Sequence, residues 1–539
     1  MPDYTRWTKE ALMQRIQELE NTLSMARVPS PPPLQNGYGA PPPVSSASAP
    51  TPKKPSKPVD PSRYGTRFIA LRIAYLGKRY GGFEYQPSGA LPSVEEELWK
   101  ALIKACLIFP APGMAAHEVD FNHCEYSKCG RTDRGVSAFG QVVALRVRSN
   151  RKRKAVEEGE DGAEPEFGAL PAPHEEIQYA RVLNRLLPPD IRVLAWCPSP
   201  PPDFSARFSC RERQYRYFFT QPAYFSTPTD TRAGEGGGPS DGWLDIEAMR
   251  TAAKHFVGLN DFRNFCKIDP NKQITNYARR IFDADIVEVP GLRSNLEYYG
   301  QEGGPKVYSF DVRGSAFLWH QIRHMVAILF LVGQGRESPD VVPALLDPVA
   351  NPGRPNYAMA DEAPLVLWDC IFPPAVPADS PEAAVDHPDA GNWSDCLEWY
   401  TIAEEAPESR AFVDGLWRGW HSAKMDEILA NRLLDQVTKP GSGAYESGKS
   451  LVSATPPARK SHIYEGGDGP RLGGVYIPLL KRTRLASPEE QNDKFARQKG
   501  FANSAAMREV GNWRAAIKAQ KEAEAGHAAE GDMRMQESS

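Results

Sequence analysis

The sequence has 539 residues, a formal net charge of −4 at pH 7 and eight cysteines. That length exceeds one ordinary domain and supports two compact lobes plus tails, while the acidic balance means that any nucleic-acid-binding surface has to be local. The cysteines follow no framework spacing, the N-terminus lacks a secretory apolar core and no run reaches membrane-spanning length, so the chain reads as a protein of a reducing compartment with no membrane partner.

Residues 1–28 carry Leu12, Ile16, Leu19 and Leu23 at alternating steps of four and three, which predicts an N-terminal amphipathic helix with two heptads of apolar stripe. Residues 29–64 are Pro- and Ser-rich with almost no large apolar side chain, the composition of a disordered linker. Folding begins at residue 65. Phe68–Tyr75 reads as a strand, and a glycine-bearing loop with Lys78 and Arg79 follows it. Ser93 and Glu96 form a capping-box pattern ahead of a helix with Val94, Leu98, Leu102 and Cys106 on one face. Val142–Leu145 is a further strand, and residues 150–176 form an acidic insertion opened by the basic run Arg151–Lys154, a solvated charge run with the composition of a nuclear-import signal. A helix through Ile177, Ala180, Leu183, Leu186 and Leu187 stops at Pro188 and Pro189, and the strand Ile191–Trp196 closes a first lobe over residues 65–203.

The second lobe, residues 204–375, opens with the aromatic strand Gln214–Thr220, which puts Tyr215, Tyr217 and Phe219 on one face. A Gly-rich loop, residues 232–242, leads to a helix capped by Asp245 with Met249, Ala252 and Phe256 inward. Strands over 281–289 and 307–313 come next, then a helix from Phe317 to about Val332. The repeated order of strands and helices predicts an α+β protein of two similar mixed lobes, with antiparallel sheets flanking a central cleft. Residues 376–539 are a C-terminal extension, partly helical and partly disordered: a helical patch at 422–437, a segment Val475–Arg482 suited to packing on the core, and a charged frayed helix from Ser487.

The stretch Cys129–Ala138 concentrates the chemistry. It sets one carboxylate, Asp133, between Arg131 and Arg134, with Gly130 and Gly135 permitting a tight or positive-φ backbone. On pattern alone this is either an anionic nucleophile near a phosphate-docking surface or a surface turn holding an Arg–Asp pair. His123, Cys124 and Cys129 have no second ligand pair at finger spacing, so no metal is expected. The absence of GxxxxGK[ST] and of a fitting GxGxxG argues against a nucleotide cofactor. Tyr215 suits either a core or a base-stacking surface, and Arg323 is a cation on an otherwise apolar helix that needs a partner or a path to water.

The run Gly130–Ala138 resembles the catalytic motif of the TruA-type tRNA pseudouridine synthases. Three other family signatures stand in matching order: Tyr75–Phe83, Phe204–Ser209 running into Arg213–Tyr217, and Gly314–Met325. The resemblance covers about residues 65 to 375, and the flanks resemble the eukaryotic branch that acts at positions 38 and 39 of the anticodon stem-loop. It implies the pseudouridine synthase fold, tRNA as partner, a homodimer, no cofactor, and residence in nucleus and cytoplasm. It also implies that Asp133 attacks the sugar or the uracil ring, or removes the C2′ proton, that Tyr215 packs on the flipped base and that Phe317 walls its pocket. Arg323 would pair with Asp133 and keep it ionised, and Arg131 would fill the place the base leaves. Arg134, Lys78, Arg79, Arg207, Arg213 and Arg216 would contact phosphates. Trp319 departs from the smaller or histidine-like residue of bacterial members, and His320 and His324 read as RNA-contact or packing residues. Two alternatives stand beside this reading: a non-catalytic tRNA-binding or tRNA-folding protein, and a nucleoside-releasing glycosidase.

Overall fold

The computed structural model describes residues 60–110, 113–114, 118–151, 167–225, 242–293, 305–373, 395–405, 410–438 and 461–519. The heptad stripe of residues 1–28, the linker up to residue 59, residues 152–166 of the acidic insertion and residues 232–241 of the Gly-rich loop lie outside these.

Ten strands build one sheet: β1 (Thr66–Tyr75), β2 (Ser127–Lys128), β3 (Ser137–Arg148), β4 (Ile191–Cys197), β5 (Glu212–Gln221), β6 (Gly258–Asp261), β7 (Ala278–Arg293), β8 (Lys306–Gly314), β9 (Leu365–Ile371) and β10 (Tyr400–Thr401). Their order is β10-β4-β1-β3-β9-β5-β8-β7-β6, with β2 attached to β3. All pairs are antiparallel except β3 with β9, joined in parallel through Ser137↔Val366 and Ala138↔Leu367. The strands of the two predicted sheets therefore continue edge to edge in one. The join is made by β9, a short apolar run late in the chain.

The helices are α1 (Val94–Lys104), α2 (Tyr179–Asn184), α3 (Ile246–Lys254), α4 (Gln321–Gly333), α5 (Val341–Leu346), α6 (Ile402–Glu405), α7 (Arg410–Thr438), α8 (Pro488–Gln498) and α9 (Ser504–Glu509). Local chemistry explains several starts. Ser93 Oγ accepts from the Glu96 amide at 3.1 Å while the Glu96 carboxylate accepts from the Ser93 amide, and Asp245 caps α3 through the Ala248 amide at 2.9 Å.

Two apolar clusters hold the sheet. One joins β1, β3 and β4 to α1 and α2 through residues such as Ile73, Leu98, Val143, Leu183 and Trp196. The other joins β5, β7 and β8 to α3 and α4 through Phe219, Met249, Ile281, Phe310 and Phe330. At roughly 1.5–3 kcal/mol for each fully buried aliphatic or aromatic side chain, these clusters rather than the polar groups between them supply the stability. Leu367 of β9 belongs to the first cluster and Leu365 to the second, and Tyr215 packs against both.

Two expectations need correction. The helix predicted from Phe317 begins at Gln321, because His320 takes a left-handed φ of 61° and the Gln321 Oε1 accepts from the Leu318 amide at 2.8 Å. Phe317 and Trp319 thus stand on a loop. The segment from Ser487 is not frayed over its described part: Ser487 and Glu490 form a capping box, and Asn492, Ala496 and Met507 are buried. Charge patterning hides this because the packing face uses small and polar residues. Val475–Arg482 meets the core through Leu479, fully buried, whose amide reaches the Glu337 carboxylate at 2.7 Å.

Candidate active site

Asp133 lies on the loop that enters β3 at the join of the sheet. Its neighbours are fixed from several sides. The Tyr75 hydroxyl bonds the Thr132 hydroxyl at 2.7 Å, the Phe83 amide donates to the Thr132 carbonyl at 3.1 Å, and the buried Gln141 amide grips both backbone groups of Gly130. Val136 N donates to the Asp133 carbonyl at 3.1 Å, closing a turn that needs Gly135 at φ 81°. A Cβ on Gly135 would approach Glu362 Cγ to 2.6 Å, so both backbone and space require glycine there. Gly130 has no positive φ; its part of the expected glycine pair is taken by the Gln141 contacts.

The loop opens into a cleft of about 1410 Å³ that also takes in Tyr215, Arg207, Phe317, Trp319, Lys267 and Lys272. Tyr215 and Phe317 meet edge to face with centroids 5.2 Å apart and line the same cleft as the carboxylate. Trp319 Nε1 donates to Asp133 Oδ1 at 3.1 Å, and His320 Nε2 stands 3.5 Å from Oδ2. Lys267 Nζ lies 4.5 Å over the Trp319 ring and its amide donates to the Trp319 carbonyl at 3.0 Å.

Arg323 is buried, but it does not make the expected ion pair with Asp133. Its guanidinium bonds Glu362 at 2.6 Å and the Ala360 carbonyl at 2.7 Å, because Glu362, just ahead of β9, is the nearer carboxylate. The electrostatics of Asp133 follow from this. Burial raises its carboxyl above the ordinary range; the Trp319 hydrogen bond and the charges of Arg323 and Lys272 pull it down, and Glu362 pushes it up again. The expected full compensation by arginine is thus not reached, and the flanking Arg131 and Arg134 are not the principal opposing cations. A carboxylate of raised basicity is suited to attack an electrophilic carbon or to take a proton.

The other expected site residues divide. Arg131, Arg134 and Arg207 line the cleft and are exposed, with Arg131 turned onto Glu84 at 3.1 Å. Arg213 also reaches the cleft, yet its N–H groups are spent on the carbonyls of Ser315, Cys129 and Arg207, so it braces loops instead of offering itself to phosphate. Lys78, Arg79 and Arg216 are not in the cleft: Arg79 pairs with Asp190 at 3.4 Å, and Arg216 lies 3.9 Å over Trp368 and pairs with Asp311. The alternation of β5 puts Arg216 on the face opposite Tyr215. His324 is a packing residue, set edge-on to Tyr357, and burial holds it well below the usual imidazole range. His320 is held down to about 4 by burial and the nearby cations, so it is neutral beside Asp133. The His123–Cys124 pair does not form a ligand set: His123 reaches Asp120 at 3.4 Å and the Cys124 thiol donates to the Phe121 carbonyl.

Sequence reasoning missed the contacts of Trp319 and His320 with Asp133, the Glu362–Arg323 pair, and Lys267 and Lys272. Nothing local to Trp319 signals its hydrogen bond, and the two lysines sit on a loop with no periodic signal.

The family pattern described as tRNA pseudouridine synthase matches residues 252–373, the part that carries Phe317, Arg323 and Glu362. The Saccharomyces cerevisiae protein named tRNA pseudouridine(38/39) synthase is 41% identical over 511 residues, covering 93% of each chain. The chain belongs to the tRNA pseudouridine synthase family. A second member of this family, the Bos taurus protein of the same name, is 39% identical over 502 residues, 92% of this chain and 89% of its own. The tRNA pseudouridine synthase A of Methanothrix thermoacetophila is 33% identical over 291 residues, 53% of this chain but 78% of its own, so this pseudouridine synthase is much the longer of the two.

Proposed function

We propose that this protein isomerises uridine to pseudouridine at positions 38 and 39 of the tRNA anticodon stem-loop, with Asp133 as the reacting carboxylate. The reaction breaks the bond between ribose C1′ and uracil N1 and rejoins the base through C5, so no atoms are gained or lost. The observation that carries the reading is the cleft itself: one carboxylate of raised basicity beside an edge-to-face aromatic pair, below a rim of exposed cations. The relatives that match over nine-tenths of the chain carry the name of this activity and these positions.

In this reading the target nucleotide leaves its stack, and Tyr215 and Phe317 replace about 1–3 kcal/mol of lost stacking. Arg131 leaves Glu84 and enters the vacated space. Arg134, Arg207, Lys267 and Lys272 meet phosphates, while the two apolar clusters act as the paired lobes between which the stem-loop lies. Asp133 either adds to the sugar or ring carbon or removes the C2′ proton; in both routes the carboxylate is regenerated when C5 is joined. Glu362, tied to Arg323, is not available to activate water, which favours rejoining over release of uracil. The protein acts as a homodimer in nucleus and cytoplasm.

The test incubates the full chain with unmodified tRNA and magnesium alone, then maps pseudouridine. Product at positions 38 and 39, absent with Asp133→Asn, is expected, and tRNA affinity should fall steeply with salt. A tRNA that stays unmodified, free uracil, or an Asp133→Asn variant that retains turnover would overturn the assignment.

A further inference from the structure

Three cysteines far apart in the chain converge beneath the catalytic loop. Cys129 immediately precedes Gly130, Cys210 stands just ahead of β5, and Cys370 lies in β9; all three are buried free thiols, and their Sγ atoms lie within 4.8 Å of one another. A Zn2+–thiolate bond of about 2.3 Å places the sulfurs of a shared ion about 4 Å apart, so small side-chain adjustments bring all three into bonding range. Buried cysteines that serve only as small apolar residues have no reason to gather from three segments around one point. A cation also accompanies them: Arg213 donates to the Cys129 carbonyl at 3.4 Å.

We propose that Cys129, Cys210 and Cys370 form a binding site for one thiophilic divalent cation of the Zn2+/Cd2+ class, with Arg213 as its countercharge. The charges close. On binding, each thiol that still carries a proton releases it to solvent and gives its sulfur lone pair to the ion; three thiolates, one divalent ion and Arg213 sum to zero. No oxidant or reductant takes part. A monovalent soft ion would leave a buried negative charge, which selects the divalent class. A bound ion would fasten the start of the Asp133 loop to β9 and to the base of β5.

The test titrates the reduced, metal-free full-length protein with Cd2+ and follows the ultraviolet thiolate-to-cadmium charge-transfer band and proton release. One ion per chain with release of protons is expected, with affinity at least about 100-fold weaker in Cys210→Ala and Cys370→Ala and unchanged in Cys106→Ser and Cys396→Ser. Should a core variant fail to fold, alkylation of the wild-type chain gives the answer: Cd2+ should protect Cys129, Cys210 and Cys370 together while leaving Cys197 and Cys266 at their metal-free rates. Binding that survives Cys210→Ala in a folded chain, protection confined to other cysteines, or no uptake by the folded wild type would overturn the site.

Discussion

The loop carrying Asp133 and the loop carrying Trp319 and His320 meet at the Asp133 carboxylate, yet they are held by different means. The Asp133 loop is gripped from beneath by Tyr75, Gln141 and the tight turn at Gly135. The Trp319 loop depends on distant segments. Lys267 bonds its backbone and covers its ring, and the segment that carries Lys267 and Lys272 is braced in turn by α8: Asn492 donates to the Ile274 carbonyl at 3.1 Å and accepts from Gln273. The reacting group is thus fixed by close packing, whereas the opposing, cationic wall is set by contacts that reach from the C-terminal extension.

Four changes probe this division. The largest effect is expected from Arg323→Met, which leaves Glu362 unpaired near Asp133 and removes a compensating cation. Turnover should fall on the order of 100- to 1000-fold, and stability by about 2 kcal/mol given the partial exposure of Glu362. Turnover within threefold of wild type in a folded variant would show that this pair does not govern Asp133.

Next comes pH. His320 ionises near its ordinary 6.5 when unfolded but only at about 4 when folded. Between these values the unfolded chain binds the extra proton, so stability falls as pH drops through the window. His320→Asn should remove up to about 3 kcal/mol of that acid loss, visible as a shallower melting-temperature profile between pH 6.5 and 4. Parallel profiles would place the acid sensitivity elsewhere.

Trp319→Phe keeps a ring under Lys267 but withdraws the N–H from Asp133, whose carboxyl should rise further. About a tenfold lower kcat/KM is expected, with the acidic limb of the pH–rate curve moved upward; an unmoved limb would mean that the indole serves only as a stacking surface. The smallest effect belongs to Ser487→Ala, about 1 kcal/mol through the lost cap of α8. Faster amide exchange over residues 488–498 and tRNA binding weakened by no more than about threefold are the expected readings, and exchange as slow as in wild type would release the Lys272 segment from dependence on this helix.

The Asp133 side of the cleft was legible in the sequence because its signals are local. A capping box at Ser93, period-two strands and a glycine-bracketed acid each act within a few residues. The opposite wall was not, because its partners are chosen by three-dimensional proximity: Glu362 intercepts Arg323, a left-handed His320 moves the helix start from Phe317 to Gln321, and Lys267 reaches Trp319 from more than fifty residues away. Arg216 shows the same limit in reverse. The family resemblance implies a phosphate contact there, but the parity of β5 turns the side chain to Trp368 and Asp311.

The place of β9 has a consequence for synthesis. This strand is made after all but one of the sheet's other strands, yet it lies between β3 and β5. While the ribosome is still translating residues before 365, the edge of β5 from Glu212 to Tyr217 has no neighbour, and β3 is covered on that side only by β2 at Val143 and Ala144. The nascent chain therefore carries an open strand edge, the kind of surface that recruits chaperones or pairs wrongly with other chains, until the centre of its sheet arrives.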